Sequence, residues 1–191
     1  MSASAGTDWA SDADLGRATR IVMLGRQGSG KGTQCERLAE LFGVAHLSTG
    51  ALFRDAVARD TKLGRSVKTL MEAGDLVTDE LVLRVVAERL ARADVRTHGF
   101  VLDGFPRTVE QAEALALLLG SQIDIAINLA VNPRVVLERL LRRRVCGDCG
   151  RAVQEPGGSD PARCPDCGGP LVRRDDDTRP AIARRLALFE Q

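Results

Sequence analysis

Short apolar runs alternate along this chain with polar segments in which apolar residues recur every three or four positions. The runs at residues 20–25, 44–47, 99–104 and 123–131 predict strands. Strands that are apolar throughout are typical of a parallel sheet that helices cover on both faces. The pattern therefore predicts an α/β fold with three layers, in which a parallel sheet lies between two layers of helices.

The periodic segments predict the helices between these strands. The segment over residues 79–92 is strongly amphipathic, since its apolar positions fall on one side of a helix. A helix that begins at Asn132-Pro133 is expected to run to about Arg144, because proline at the first helical position loses no hydrogen bond. The other predicted helices cover residues 31–42, 50–60, 64–73, 108–119 and 178 onward.

Residues 145–173 interrupt this pattern with glycine, proline and little periodic apolar content. They contain two C-x-x-C pairs, Cys146 with Cys149 and Cys164 with Cys167. Four thiolates at this spacing suit a closed, tetrahedral and therefore structural Zn²⁺ site. Four free thiols and an iron–sulfur centre are the alternatives. An insertion of about two dozen residues is too small for a core of its own, so a metal would make it rigid.

Composition narrows the possible partners. With a formal net charge of +1, the chain has no overall electrostatic attraction to nucleic acid. The sequence also has no apolar run long enough to cross a membrane. Residues 1–19 are small, polar and mildly acidic, so we expect a disordered extension. They lack the basic start and apolar middle of a secretory signal, which favours a cytoplasmic protein.

The stretch "GRQGSGKGT" follows the first predicted strand and opens the first predicted helix. Gly25, Gly30 and Lys31 meet the pattern G-x-x-x-x-G-K, in which backbone N–H groups cradle phosphates and the lysine neutralises them. The hydroxyl that usually follows the lysine comes one position later, at Thr33. An ordinary glycine-rich turn is the alternative. The context of strand, loop and helix favours a nucleotide site.

Three further stretches carry a family resemblance: "LSTGALFR" (47–54), "AGDLVTDEL" (73–81) and "GFVLDGFPRTVEQA" (99–112). With the glycine loop, they resemble the adenylate kinases, nucleoside monophosphate kinases of the P-loop fold, over residues 20–188. The resemblance implies reversible, Mg²⁺-dependent phosphoryl transfer from ATP to AMP, giving two ADP. It implies a P-loop core over 20–144 and 174–191, an AMP-binding helical segment at about 48–78, and a lid over 145–173 of the long, zinc-ribbon-like type.

The resemblance also implies roles for individual residues. Arg139 and Arg143, expected on one face of the same helix, would reach the ATP side, and Asp176 and Asp177 would pair with arginines. Asp103 would orient Mg²⁺-bound water. The implied ATP-binding residues are Gly28, Ser29, Gly30, Lys31, Gly32, Thr33 and Arg139. The implied AMP-binding residues are Thr49, Gly50, Arg54, Asp75, Val77, Gly104, Arg107, Gln111, Arg174 and Arg185. The implied catalytic residues are Lys31, Asp103, Arg107, Arg143, Arg174 and Arg185.

Some positions depart from the family pattern. Gln27 replaces a proline and is expected to loosen the loop, and Ala51 replaces an aspartate that supports Mg²⁺-bound water. The sequence stops at "LALFEQ", where relatives continue through a helix, a strand and another helix. Reduced activity, or nucleotide binding alone, is therefore one alternative to an active kinase.

Another alternative is a kinase of the same fold for a different nucleoside monophosphate. Thr49 favours AMP, since relatives that prefer UMP or CMP usually have alanine there. A zinc-ribbon nucleic-acid binder is disfavoured by the near-neutral charge and the few aromatic residues. We expect a monomer whose partners are ATP and AMP, and neither nucleic acid nor a membrane.

Overall fold

The computed structural model describes residues 18–120, 123–154 and 163–190. Most of the expected N-terminal extension, residues 1–17, lies outside the described residues. Its last residue, Thr19, already belongs to the first strand, so the ordered fold begins earlier than expected. None of the helices in the described part of the chain has the length and apolar character of a membrane span.

A parallel sheet forms the centre of the fold, as predicted. Its strands are β1 (Thr19–Gly25), β2 (Ala45–Ser48), β3 (Gly99–Asp103) and β4 (Ile125–Leu129), in the order β2-β3-β1-β4. All three strand pairs are parallel. The carboxyl ends of β1 and β3 therefore meet at one edge, which is where parallel sheets usually build binding sites.

Eight helices lie in the described residues. They are α1 (Lys31–Phe42), α2 (Thr49–Ala58), α3 (Lys62–Ala73), α4 (Asp79–Leu90), α5 (Ala93–His98), α6 (Val109–Leu119), α7 (Pro133–Leu141) and α8 (Arg179–Phe189). The sequence predicted all of them except α5, whose six residues are too short for a periodic signal. Side-chain hydroxyls cap several N-termini, among them Ser48 on α2 and Thr61 on α3.

Both faces of the sheet are covered. On one face, Ile21 and Met23 pack against Cys35 of α1. On the other, Val22 joins a larger cluster that includes Phe100. This alternation along β1 follows from the two-residue period of a strand, so the central strands are buried on both sides as predicted.

The edge strand β4 departs from that prediction. Within the described residues, β4 pairs only with β1, and most of its residues are exposed or half-buried. Ile125 remains 47% exposed. Its apolar sequence predicted a strand correctly but did not predict which strand would lie at the edge.

The expected extension of α7 to Arg144 is wrong. The helix ends at Leu141, and residues Arg143–Cys146 form β5. This strand lies between β6 (Ala152–Gln154) and β7 (Leu171–Val172) in a small antiparallel sheet. Hydrogen bonds from residues distant in sequence thus override the local helical pattern. Arg139 and Arg143 consequently do not share a helical face.

Candidate active site

The glycine loop connects β1 to α1 at the carboxyl edge of the sheet. Gly28 has φ +82°, and a Cβ there would lie 2.8 Å from Cγ of Leu140. Glycine is therefore required both by the backbone and by the close packing on α7. Gly30, the N-cap of α1, has φ 102° and makes no side-chain cap hydrogen bond. The first amides of α1 are consequently left for an anion.

Lys31 turns back over this loop. Its Nζ donates hydrogen bonds to the backbone oxygens of Gly25 at 2.8 Å and Arg26 at 2.9 Å. Burial lowers the pKa of Lys31, while the Asp103 carboxylate opposes that effect. The ammonium is thus held on neutral carbonyl groups at the point where a phosphate would offer it a full negative charge.

Three arginines meet two carboxylates beside the loop. Arg143 binds Asp177 through two hydrogen bonds of 2.8 and 2.6 Å, and Arg174 binds Asp176 through two of 2.9 and 2.7 Å. Arg185 shares both carboxylates, at 3.3 Å from Asp176 and 3.8 Å from Asp177. The predicted pairing of the two aspartates with arginines is therefore present. The planar, two-pronged contacts fix the direction of the Arg143 and Arg174 guanidiniums.

Two more guanidiniums in this region have no carboxylate partner within the described part of the chain. Burial is the largest effect on Arg54, lowering its pKa to about 10, and the charge of Arg174 lowers it further. Burial also lowers the pKa of Arg107, whose Nε donates to the Gly104 oxygen at 2.8 Å. Arg54 is half-buried and Arg107 is exposed. Guanidiniums that lose part of their hydration without contacting a carboxylate are costly in a folded protein, so their presence indicates an anionic ligand.

Together these groups form one positively charged region. It contains six cations and three carboxylates: Lys31, Arg54, Arg107, Arg143, Arg174 and Arg185 with Asp103, Asp176 and Asp177. The structure thus brings together every residue that the resemblance implied to be catalytic. The excess of positive charge suits a polyanion such as two facing phosphate chains.

The predicted ATP-side residues lie on or near the loop. Arg139 donates to the Ser29 backbone oxygen at 3.2 Å. A Cβ at Gly32 would lie 3.8 Å from Oδ2 of Asp103, so this carboxylate faces the start of α1. Thr33 is exposed in the first turn of that helix.

The predicted AMP-side residues are more dispersed. Thr49 is buried and donates to the Gly104 oxygen at 3.0 Å, while a Cβ at Gly50 would lie 3.0 Å from a nitrogen of Arg54. Gln111 accepts from the Arg107 amide at 2.8 Å and donates to Asp79 at 2.6 Å. Asp75 is paired with Arg184, and Val77 packs against the main core. Contacts of these residues with adenine stay predictions.

The four cysteines of the small sheet fit one zinc ion. Their Sγ atoms all lie within 4.8 Å of one another, with 3.4 Å between Cys146 and Cys167 and 3.7 Å between Cys149 and Cys164. A tetrahedral ion with Zn–S bonds of about 2.3 Å separates its ligands by about 3.8 Å. Gly150 and Gly168, each at φ +73°, close the two knuckle turns. The donor set leaves no open position, as in a structural site.

Comparison with known proteins places the chain in a family. A family model described as adenylate kinase matches residues 23–191. The chain belongs to the adenylate kinase family. An adenylate kinase of Listeria monocytogenes is 43% identical over 172 residues, covering 87% of this chain and 80% of the relative. One of Bacillus licheniformis is 45% identical over 174 residues (88% and 79%), and one of Archaeoglobus fulgidus is 42% identical over 177 residues (90% and 81%). The resemblance seen in the sequence is thereby confirmed.

Two contacts of this adenylate kinase family member were not predicted. Gln27, expected to loosen the loop, accepts a hydrogen bond from Nη1 of Arg185 at 2.7 Å. Arg26 binds Glu190 and lies over the ring of Phe189, 5.1 Å from its centre. Both contacts join the glycine loop to α8 or its end. They connect residues far apart in the sequence, so no local pattern could reveal them.

The Gln27 contact yields a testable prediction. Gln27→Leu should lower kcat about tenfold, because Arg185 loses a hydrogen bond that orients its charge. Gln27→Glu retains an acceptor oxygen and should stay closer to the wild-type rate. Steady-state kinetics of both variants, with melting temperatures to check folding, test this. Equal rates in the leucine variant and the wild type would show that Gln27 does not position Arg185.

Proposed function

We propose that this chain is an adenylate kinase that transfers the terminal phosphoryl group of Mg²⁺-bound ATP reversibly to AMP, giving two ADP. The observation that carries the proposal is the group of six cations around Asp103 at the end of the glycine loop. Membership in the adenylate kinase family supports it. Each residue role that follows is part of this proposal.

The donor phosphates bind at the glycine loop. The N–H groups at the start of α1 and the ammonium of Lys31 hold the β- and γ-phosphates. Lys31 then exchanges its contacts with two loop carbonyls, at 2.8 and 2.9 Å, for phosphate oxygens. Arg139, anchored on the Ser29 oxygen, lies on the same side.

The acceptor phosphate binds to Arg54 and Arg107. Arg54 and Arg107 lack carboxylate partners in the described residues and therefore supply two charges to the monophosphate. Thr49 and Gln111 lie beside Arg107 and Gly104, where they border the nucleoside of the acceptor. Gly50 and Gly104 leave room for the approach of the guanidiniums. Asp75 and Val77 contribute backbone groups on the adenine side.

The transfer itself needs positioning and charge rather than covalent catalysis. Arg143, Arg174 and Arg185 are directed by Asp176 and Asp177, so their charges are already oriented when the phosphoryl group moves. Mg²⁺ neutralises the donor phosphates when bound with ATP. The carboxylate of Asp103 offers the oxygen ligand that this ion prefers, either directly or through water.

The zinc-stiffened sheet acts as a lid. Arg143 begins β5 and Arg174 follows β7, so an arginine that faces the phosphate site lies at each end of the lid. Closure as a rigid body would cover the phosphates beside these two arginines and exclude water, which would otherwise accept the phosphoryl group. We propose that the enzyme acts as a monomer in the cytoplasm, where ATP and AMP are present and thiolates stay reduced.

Acceptor specificity tests the proposal. A coupled assay should show AMP as the preferred acceptor over CMP, UMP and GMP. Thr49→Ala should lower kcat/KM for AMP about tenfold and narrow its advantage over UMP and CMP, because a buried hydroxyl is lost. Thr61→Ala removes a comparable hydroxyl from the cap of α3 and serves as the control.

Two outcomes would contradict the proposal. Equal transfer to all four acceptors would indicate a less selective nucleoside monophosphate kinase. ATP binding with no transfer to any acceptor would indicate a nucleotide-binding protein without kinase activity.

A further inference from the structure

Three side chains of types that can bind a metal converge where α1, β2 and β3 meet. Cys35 lies in α1, His46 in β2 and Asp103 at the end of β3. One ligand atom from each lies within 4.8 Å of the others. This cluster is separate from the four cysteines of the lid, although it shares Asp103 with the phosphate site.

The three groups face one another without bonding. Nε2 of His46 is buried and has no hydrogen-bond partner among the described residues. It lies 4.0 Å from Oδ2 of Asp103, which is beyond the hydrogen-bonding range of about 2.7–3.2 Å. Cys35 is fully buried. A buried nitrogen without a partner is costly, so its position indicates that another group belongs between these side chains.

A metal ion matches both the size and the chemistry of this gap. A tetrahedral ion with bonds of about 2.0–2.3 Å separates its ligands by about 3.3–3.8 Å, so small side-chain rotations suffice. Sulfur, imidazole nitrogen and a carboxylate oxygen together select Zn²⁺ or a similar borderline ion. Mg²⁺ prefers an all-oxygen set and would not engage the sulfur. His46 and Asp103 are 22% and 15% exposed, which leaves a route for the ion and for a water as fourth ligand.

We propose that Cys35, His46 and Asp103 form a second zinc site, and that Zn²⁺ bound there inhibits the enzyme. The inhibitory part rests on the proposed kinase function, because the ion would occupy the carboxylate assigned to the Mg²⁺-bound nucleotide. The binding part stands on the geometry alone. The thiolate is the form that binds metal, so the arriving ion must displace the proton of the fully buried Cys35. The lid, with four sulfur ligands, therefore fills first.

Zinc content tests the binding part directly. The zinc-loaded enzyme is dialysed against buffers of fixed micromolar free Zn²⁺, and the metal is measured per chain. Wild type should approach two ions per chain, one for each cluster. His46→Asn should retain only the lid ion, with affinity at the second site weakened at least about tenfold. His98→Asn changes an exposed histidine outside the cluster and should match wild type.

Inhibition tests the consequence. With each variant compared with its own rate when only the lid ion is bound, wild type and His98→Asn should lose activity as the second ion binds. His46→Asn should need at least about tenfold more free Zn²⁺ for the same loss. Cys35→Ser should behave like His46→Asn, and if its buried change prevents folding, His46→Asn still decides. One ion per chain in wild type, or equal retention in His46→Asn, would overturn the site.

The two proposals fail in different ways. A wild type that is inactive with only the lid ion bound, and that still takes up the second ion, would refute the kinase function and leave the metal site standing. An active wild type that binds only the lid ion would leave the kinase function standing and refute the second metal site. A second ion that leaves the rate unchanged would overturn its inhibitory role.

Discussion

Replacing Lys31 with methionine is expected to lower kcat for phosphoryl transfer by about a hundredfold or more. Methionine keeps an unbranched apolar stem but removes the ammonium that reaches the end of the glycine loop. The structure places that ammonium among Asp103, Arg107 and Arg143, all close enough to influence its pKa. It therefore connects the loop electrostatically to Arg107 and Arg143.

The measurement is the initial rate with ATP and AMP, with ATP binding measured separately. Lys31 also holds two loop carbonyls, so a melting curve must show that the variant is folded. Lys68→Met, which removes an exposed lysine on α3, should keep the wild-type rate. A Lys31→Met enzyme that is as fast as wild type would exclude the proposed phosphate clamp.

Disrupting the four-cysteine cluster of the lid should have the second large effect on kcat. Cys164→Ser replaces one of the two buried thiols of the cluster and should abolish zinc binding in the lid. Structural Zn²⁺ contributes about 10 kcal/mol or more to the folding of small zinc modules, and the lid has only a small sheet to replace it. Because Arg143 and Arg174 lie at its ends, we expect kcat to fall at least about tenfold.

Zinc content, kcat and the thermal unfolding of the variant together test this prediction. Removing zinc from wild type with a chelator should reproduce the loss, and adding zinc back should reverse it. Cys35→Ser, in contrast, should keep the lid ion. Full activity in a lid without metal would show that zinc is not needed to place the two arginines.

The four strands of the central sheet and all helices except α5 could be predicted from the sequence, because each depends on neighbouring residues. The apolar run of β1 and the period of α4 are local signals. The change from α7 to β5 was not readable, since Arg143 and Arg144 pair with Gln154 and Val153 across the lid. The local sequence there favours a helix, but hydrogen bonds to distant residues stabilise the strand instead.

The same division applies to the site. Lys31 and the glycine loop could be predicted because the phosphate site that we propose there is formed by one short segment. The pairing of aspartates with arginines came from family resemblance. The contact between Gln27 and Arg185, and the approach of His46 to Asp103, depend on how separate elements pack. The spacing of residues along the sequence does not predict which of these side chains come into contact.

The close packing of Gly28 on Leu140 has a mechanical consequence. Leu140 lies near the end of α7, only three positions before the first strand of the lid. The glycine loop thus packs against the last turn of α7, just before the lid begins. We therefore expect any movement of this loop on nucleotide binding to displace α7, and through α7 the first strand of the lid.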